Sequence, residues 1–171
     1  MDATDSVGLR PYDPDDDRAA LWALKTDFET ALGAGGGEEK AASYEEKLTD
    51  DYRRRWLAWV DRCVDDESRC VTVAEAADGE LVGYVFLLPE RLAFVWDAAV
   101  VNELYVAPAS RGTGVADDLL AAATALAEAQ DLPLERLLLD VDPGNERARA
   151  FYERHGFEPW GEIVARPLGE D

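Results

Sequence analysis

Apolar residues first recur at Leu21, Leu24, Phe28 and Leu32, in steps of three and four that put them on one face of a helix. The Asp-rich turn from Pro11 to Asp17 leads into this helix and Gly33 stops it, so the pattern predicts a helix over residues 14–32. Val7 to Arg10 reads as a short first strand. Ala34 to Lys40 holds three consecutive glycines and reads as a mobile loop. Leu48, Tyr52, Trp56, Trp59 and Cys63 then resume the helical period, predicting a second helix over residues 44–63. After that the pattern turns strand-like. Val71 to Ala76 and Leu81 to Leu88 flank an Asp78-Gly79 hairpin turn, and Ala98 to Val106 follows. Gly112 to Gln130 is helical, with Val115, Leu119, Ala122 and Leu126 on one side. Leu137 to Val141 reads as a buried strand. Asn145 to His155 reads as a short helix closed by Gly156, and Phe157 to Val164 as a last strand. Strand and helix alternate in the C-terminal half, which implies a crossover onto an α/β sheet. The antiparallel front half makes that sheet mixed.

The chain has 171 residues, a length that suits one domain spanning residues 1–171. Its formal net charge is −20, from 37 Asp and Glu against 17 Lys and Arg. Neutralising phosphates needs clustered Lys and Arg, so this balance argues against a general nucleic-acid binder and against docking on anionic membranes. Only three of the basic residues are lysines (Lys25, Lys40, Lys47) and fourteen are arginines. An acidic, lysine-poor surface resembles proteins of salt-loving organisms, where screening makes the self-repulsion tolerable. No apolar run reaches the roughly 20 residues that span a bilayer. Met1 to Asp5 carries no basic-then-apolar leader pattern, so a cytoplasmic location is expected. Cys63 and Cys70 read as two packed free thiols in a reducing compartment. With one histidine (His155), no metal-ligand spacing appears.

The chemistry concentrates in Leu104-Tyr105-Val106-Ala107-Pro108-Ala109-Ser110-Arg111-Gly112-Thr113-Gly114-Val115-Ala116, a strand, a tight turn and a helix start. Gly112 and Gly114 let backbone N–H groups approach a ligand closely. The first N–H groups of the helix lack internal partners and the helix dipole is positive there, which suits a pyrophosphate. Arg111 adds a candidate charge-assisted bond. A P-loop is excluded, because no lysine follows position 47. A dinucleotide fingerprint is excluded too, because Asp117 stands where its third glycine belongs.

These segments resemble the GNAT superfamily of N-acetyltransferases. Arg111-Gly112-Thr113-Gly114-Val115-Ala116 matches the superfamily's loop pattern in full. Asn145, Ala148 and Ala150-Phe151-Tyr152-Glu153-Arg154-His155-Gly156-Phe157 match its second motif. Val73 to Glu75 and Gly79 to Tyr84 look like its central hairpin, so the likeness covers about residues 71 to 160. It implies an α/β (α+β) fold with a mixed sheet of about six or seven strands flanked by about four helices. It also implies acetyl-CoA as donor substrate, no metal, and a primary amine of a small molecule or a protein as acceptor. Two rivals share the scaffold: transfer of another acyl group, and a non-catalytic CoA-binding or interaction module.

By the same resemblance, amides of Arg111, Gly112, Thr113, Gly114, Val115 and Ala116 would cradle the pyrophosphate. The strand segment Leu104, Tyr105 and Val106 would pair with the pantetheine arm, and Asn145 would bond the same arm. Arg147, Arg149 and Arg154 would either reach the 3′-phosphate or form a solvated helix face. A free alkylamine has a pKa near 10, so only about one in a thousand is neutral at pH 7 and a base is useful. Glu103 is the candidate base, with Asp97, Asp140, Asp142 or a water chain as alternatives. Tyr152, seven residues after Asn145 and so on the same helix face, is the candidate acid for the departing thiolate. His155 reads as a helix-end residue. Phe94 and Trp96, in the loop from Pro89 to Asp97, are expected to pack, with a place in the lining of the acceptor pocket as the alternative. Only Glu158 to Asp171 follows the second motif, with Pro159, Pro167 and Gly169 as breakers. The final strand, and with it a homodimer in which a partner chain supplies it, therefore stays open.

Overall fold

The computed structural model describes residues 6–169. Met1 to Asp5, on which the leader-free reading rests, and the last two residues of the C-terminal segment lie outside that range. The chain divides into two compact units, Met1–Asp140 and Val141–Asp171.

The first unit holds the sheet, with strands β1 (Gly8–Pro11), β2 (Val71–Glu75), β3 (Leu81–Leu87), β4 (Ala99–Val106) and β5 (Leu137–Leu138) in the order β1-β2-β3-β4-β5. Neighbours are antiparallel as far as β4, and β5 runs parallel to β4. The hairpin between β2 and β3 turns at Gly79, whose φ of 89° suits glycine. Every residue of β3 is buried, because helices cover both faces of the sheet. Helices α1 (Arg18–Ala34), α2 (Glu38–Lys47) and α3 (Asp50–Asp66) precede β2, and α4 (Val115–Glu128) joins β4 to β5. Tyr84, Phe86, Val71 and Val73 form one core with Leu21, Leu24, Trp56 and Val60. Helix α4 buries Val115, Leu119, Leu120, Ala123 and Leu126, and packs on β2, β3 and β4. The second unit contains α5 (Glu146–Arg154).

The mixed α/β architecture matches the expectation, and four details depart from it. Among the described residues the sheet has five strands instead of six or seven, and Phe157 to Val164 forms none. Pro159 removes a backbone donor from that stretch, and Trp160, Ile163 and Val164 stand exposed. The supposed loop from Ala34 to Lys40 already holds the first turn of α2. The supposed single helix from Tyr44 to Cys63 is broken at Leu48, because Thr49 adopts an extended conformation and caps α3, its hydroxyl accepting from the Tyr52 N–H at 3.1 Å. Phe94 and Trp96, expected to pack, are 79% and 57% exposed on a short 3-10 helix, Glu90–Val95, and its C-cap. Cys63 and Cys70 are free and buried, and burial pushes the Cys70 thiol up to about 12.

One ion-pair cluster ties β1, β2 and α1 together. Arg10 donates to both carboxylate oxygens of Asp17, at 2.6 and 2.9 Å, and to Glu75 at 2.8 Å. The Asp13 N–H also donates to Asp17, at 2.8 Å. The Arg10 hydrogen bonds hold the Asp17 carboxyl below its ordinary value against the opposing effect of burial. A carboxylate with a depressed folded-state pKa stabilises above its unfolded value, here near 3.8, and loses that contribution as pH falls toward the folded value. Asp17→Asn is therefore expected to lower stability by about 1.5–3 kcal/mol at pH 7. Urea melts of both proteins at several pH values check this: the gap is full above about pH 5 and shrinks as pH falls below 4.

Candidate active site

Strand β4 has two different edges. Toward β3, Tyr105 pairs with Tyr84 and Glu103 with Phe86, and the Ala107 N–H donates to Val82 O at 2.8 Å. Alternation along an antiparallel ladder then turns the backbone groups of Leu104 and Val106 to the opposite edge. There β5 pairs with β4 only at Ala99 and Val100. Among the described residues, no strand pairs with that edge from Val101 onward. Arg111 folds back along it: its Nε donates to Val106 O at 2.9 Å, and its guanidinium lies 5.7 Å from the centre of the Tyr105 ring.

The turn after β4 begins with a short 3-10 helix, Pro108–Ser110, and Thr113 Oγ1 donates to Ser110 O at 2.6 Å. Gly112 and Gly114 have φ of 75° and 90°, in the left-handed region that favours glycine, and a Cβ at either would meet nothing within 4 Å. The turn thus leaves open space above its backbone just where α4 begins. The first N–H groups of α4, at Val115 and Ala116, have no carbonyl within the helix to bond. This is a shape that an anionic group can approach. Asp117 and Asp118 in the same first turn add negative charge beside it.

On the face of β4 toward α1, Glu103 is 5% exposed. Its Oε1 accepts from Tyr84 OH at 2.7 Å and lies 3.1 Å from Lys25 Nζ, and its Oε2 accepts from Asn102 Nδ2 at 3.0 Å. Lys25 also pairs with Glu29, whose Oε2 lies 2.6 Å from Lys47 Nζ. The four charges form a chain from Lys47 through Glu29 and Lys25 to Glu103 and sum to zero. Burial works to lower the Lys25 pKa, but the charges of Glu103 and Glu29 outweigh it, so the ammonium is raised and stays charged. Burial, reinforced by the Glu103 charge, pushes the Tyr84 phenol well above its ordinary value and keeps it a neutral donor. Among the alternative bases in this unit, Asp97 and Asp140 are exposed.

In the second unit, Asn145 stands at the N-cap of α5, where its Oδ1 accepts from the Ala148 N–H at 3.1 Å. Asp142 accepts from the Gly144 N–H at 2.8 Å. Helix α5 ends in a Schellman motif: the Phe157 N–H bonds Tyr152 O, the Gly156 N–H bonds Glu153 O, and Gly156 has a φ of 85°. The accompanying apolar contact is between the rings of Tyr152 and Phe157, 5.5 Å apart. The motif's Tyr, Gly and Phe are therefore one mechanical unit. Burial pushes the Tyr152 phenol up to about 12, so it is protonated at neutral pH. His155 is the C-cap residue, and Arg147, Arg149 and Arg154 are exposed.

Glu103, Leu104, Tyr105, Val106 and Arg111 to Ala116 thus lie on one strand, its turn and the next helix. Sequence reasoning missed Lys25, Glu29, Lys47 and Tyr84. The signal was present: Lys25 and Glu29 lie four apart within the apolar stripe of α1, and two of three lysines in so acidic a chain are committed to this spot.

The pattern of the acetyltransferase (GNAT) family matches residues 12–157. This chain belongs to that family. It is an acetyl-CoA-dependent N-acetyltransferase. The phosphinothricin N-acetyltransferase of Streptomyces coelicolor is 29% identical over 126 residues, which cover 72% of this chain and 71% of that protein. The crystal structure of PaiA N-acetyltransferase from Thermoplasma acidophilum, in complex with coenzyme A, has a similar fold, with a TM-score of 0.70, 20% identity and coverage of 90% of each chain. A GCN5-related N-acetyltransferase from Ralstonia eutropha does too, with a TM-score of 0.66, 17% identity and coverage of 96% of this chain and 100% of the other.

Lys25→Met would leave Glu103 and Glu29 buried beside a single remaining ammonium. It is expected to destabilise the protein by about 3–5 kcal/mol. Adding Glu103→Gln should restore part of the loss, and denaturant melts of the single and double variants measure it.

Proposed function

We propose that this enzyme moves the acetyl group of acetyl-CoA to a primary amine by direct attack within a ternary complex. The observation that carries the reading is the glycine turn, set between the open edge of β4 and the start of α4. In this reading the amides from Arg111 to Ala116 hold the pyrophosphate, and the Leu104 and Val106 edge takes the pantetheine arm as an added strand. A β4 amide there meets the charge that develops on the carbonyl oxygen. Asn145 contributes to the arm through its side-chain NH2, since its oxygen caps α5. Arg111, already bonded to Val106 O, holds the turn rather than the phosphate.

The amine lone pair attacks the thioester carbon, the C–S bond breaks, and the departing thiolate takes a proton. Tyr152 is the proposed donor, and its raised pKa keeps that proton available. The amine must lose a proton as well. Glu103 is already engaged by an ammonium, a phenol and an amide, which favours water as the acceptor of that proton and Glu103 as the group that orients the site. An amine acceptor is in keeping with the phosphinothricin N-acetylating relative.

We read the whole chain as one domain, because the family match at residues 12–157 crosses the division after Asp140. No helix among the described residues is long and apolar enough to cross a membrane. The two free thiols suit a cytoplasmic setting, and the charge of −20 suits high salt and no nucleic-acid partner. The exposed Trp160, Ile163 and Val164 favour a second copy of the chain as their cover, and so a homodimer.

A thermal melt in 2 M potassium chloride, with and without acetyl-CoA, tests the donor. Acetyl-CoA at 100 times its dissociation constant should add about 2.7 kcal/mol and raise the midpoint by about 5–10 °C. Because donor and protein are both anionic, the shift should be smaller at 0.1 M salt, where the Debye length is about 10 Å. No shift in a folded sample at either salt would overturn the donor assignment.

Tyr152→Phe should lower kcat by about 10²–10⁴-fold and leave the acetyl-CoA dissociation constant unchanged. With a phenol near 12, the wild-type rate should show no falling limb from this residue below about pH 11. Steady-state kinetics across pH, with calorimetry for the donor, checks both.

A further inference from the structure

Lys47 ends α2 with its ammonium in an unusual place. Its Nζ lies 4.3 Å from the centre of the Tyr44 ring and 5.4 Å from that of Tyr52. Beneath it, at 2.6 Å, is Glu29 Oε2. Glu29 is 3% exposed, and that oxygen is buried without an aligned hydrogen bond. The other Glu29 oxygen faces Lys25, which is itself held by Glu103 on β4. The carboxylate is therefore fixed from below, and its open side is rimmed by aromatic rings. That combination is a receptor for an alkylammonium.

The group now filling it is held loosely. Helix α2 buries none of its residues, and its packing within the fold is chiefly against α1. Glycines 35 to 37 precede it and the break at Leu48 follows it. The Lys47 side chain is 36% exposed, whereas that of Glu29 is 4% exposed. An ammonium from solvent can replace the Lys47 head group with no change in the charge buried at Glu29.

We propose that Glu29, Tyr44 and Tyr52 form a head-group subsite for a lysine-like primary alkylammonium, and that Lys47 occupies it until the acceptor displaces it. Lys47 is thus both a gate and a template: the chemistry that fits is an unbranched chain ending in NH3+. This deepens the amine-acceptor reading and rests on it. The source of such a head group is either a free alkylamine or a lysyl side chain, and the two share this chemistry.

Calorimetric titration of the full-length protein tests the proposal without turnover. The probes are n-butylamine, Nα-acetyl-lysine methylamide and its uncharged counterpart Nα-acetyl-norleucine methylamide. An internal competitor that fills the subsite nine-tenths of the time weakens apparent affinity about tenfold. Lys47→Met is therefore expected to tighten binding of the charged probes about tenfold and leave the norleucine probe without effect. Lys47→Arg, which keeps a cation in the cage, should bind like the wild type. Tightening for both amines identifies a small acceptor, and tightening for the lysine probe alone identifies a lysyl side chain. Glu29→Gln, with its fold checked by circular dichroism, should abolish binding of both. Equal affinity in Lys47→Met and wild type, weaker affinity in Lys47→Met, or no binding of either amine to any variant would overturn the subsite. The comparison of Lys47→Met with Lys47→Arg decides the matter even if Glu29→Gln does not fold. The acetyl-CoA melting shift of the same proteins reports separately on the donor, so loss of that shift with amine binding intact would count against the transferase reading and not against the subsite.

Discussion

Glu103 places a negative charge beneath α1 on a central strand of the sheet, and the helical face of the molecule is organised around neutralising it. A buried carboxylate without a counter-charge costs several kcal/mol. Lys25 supplies that counter-charge from α1, Glu29 balances Lys25, and Lys47 brings in α2. The aromatic rings of Phe28, Tyr52 and Trp56 surround the Lys25 ammonium at 5.0–6.0 Å. The four partners come from three elements, α1, α2 and β4, so the ion-pair chain also sets how α1 and α2 stand over β4. A purely apolar interface of the same volume would be at least as stable. What the charges add is a single register between helix and strand, because a slip of one residue would strand a buried ion.

Strand β4 carries four functions at once. One face bears Glu103 and Tyr105 toward α1, the other packs against α4, one edge completes the ladder with β3, and the other edge stays open past Val100. The opening arises because β5 is only two residues long. The glycine turn at its C-terminal end then supplies the start of α4. Chemistry gathers on this strand because a free backbone edge, a helix N-terminus and a buried polar network adjoin there.

Much of this was legible in the sequence. The helical stripe of Leu21, Leu24 and Phe28 and the alternation in β2, β3 and β4 reflect burial, which local pattern records well. The glycine turn was legible because its positive φ angles need glycine. The Phe-Tyr…Gly-Phe segment was legible as a motif, although its mechanical basis, ring against ring across a helix end, was not. The break at Thr49 was missed because the apolar period runs on through it and only a side-chain cap marks the boundary. The Lys25–Glu103 pair was missed because its members are 78 positions apart and meet only through tertiary packing. The expected last strand failed because Pro159 removes a backbone donor within it. Phe94 and Trp96 show the converse, since their hydrophobicity alone says nothing about whether a surface lies near them.

The Arg111 bond to Val106 O closes the open edge of β4 at one end, as β5 closes it at the other. Between these stops, from Val101 to Val106, the strand advances about 3.3 Å per residue, a span of roughly 17–20 Å. The edge is in effect a gauge block. A molecule laid along it with one end in the glycine turn has its other end placed by strand length alone, without any side chain measuring the distance. Insertion of one residue in β4 would shift that far end by a whole residue rise and reverse the faces of everything beyond it. Tolerance at this strand should therefore depend on length far more than on composition.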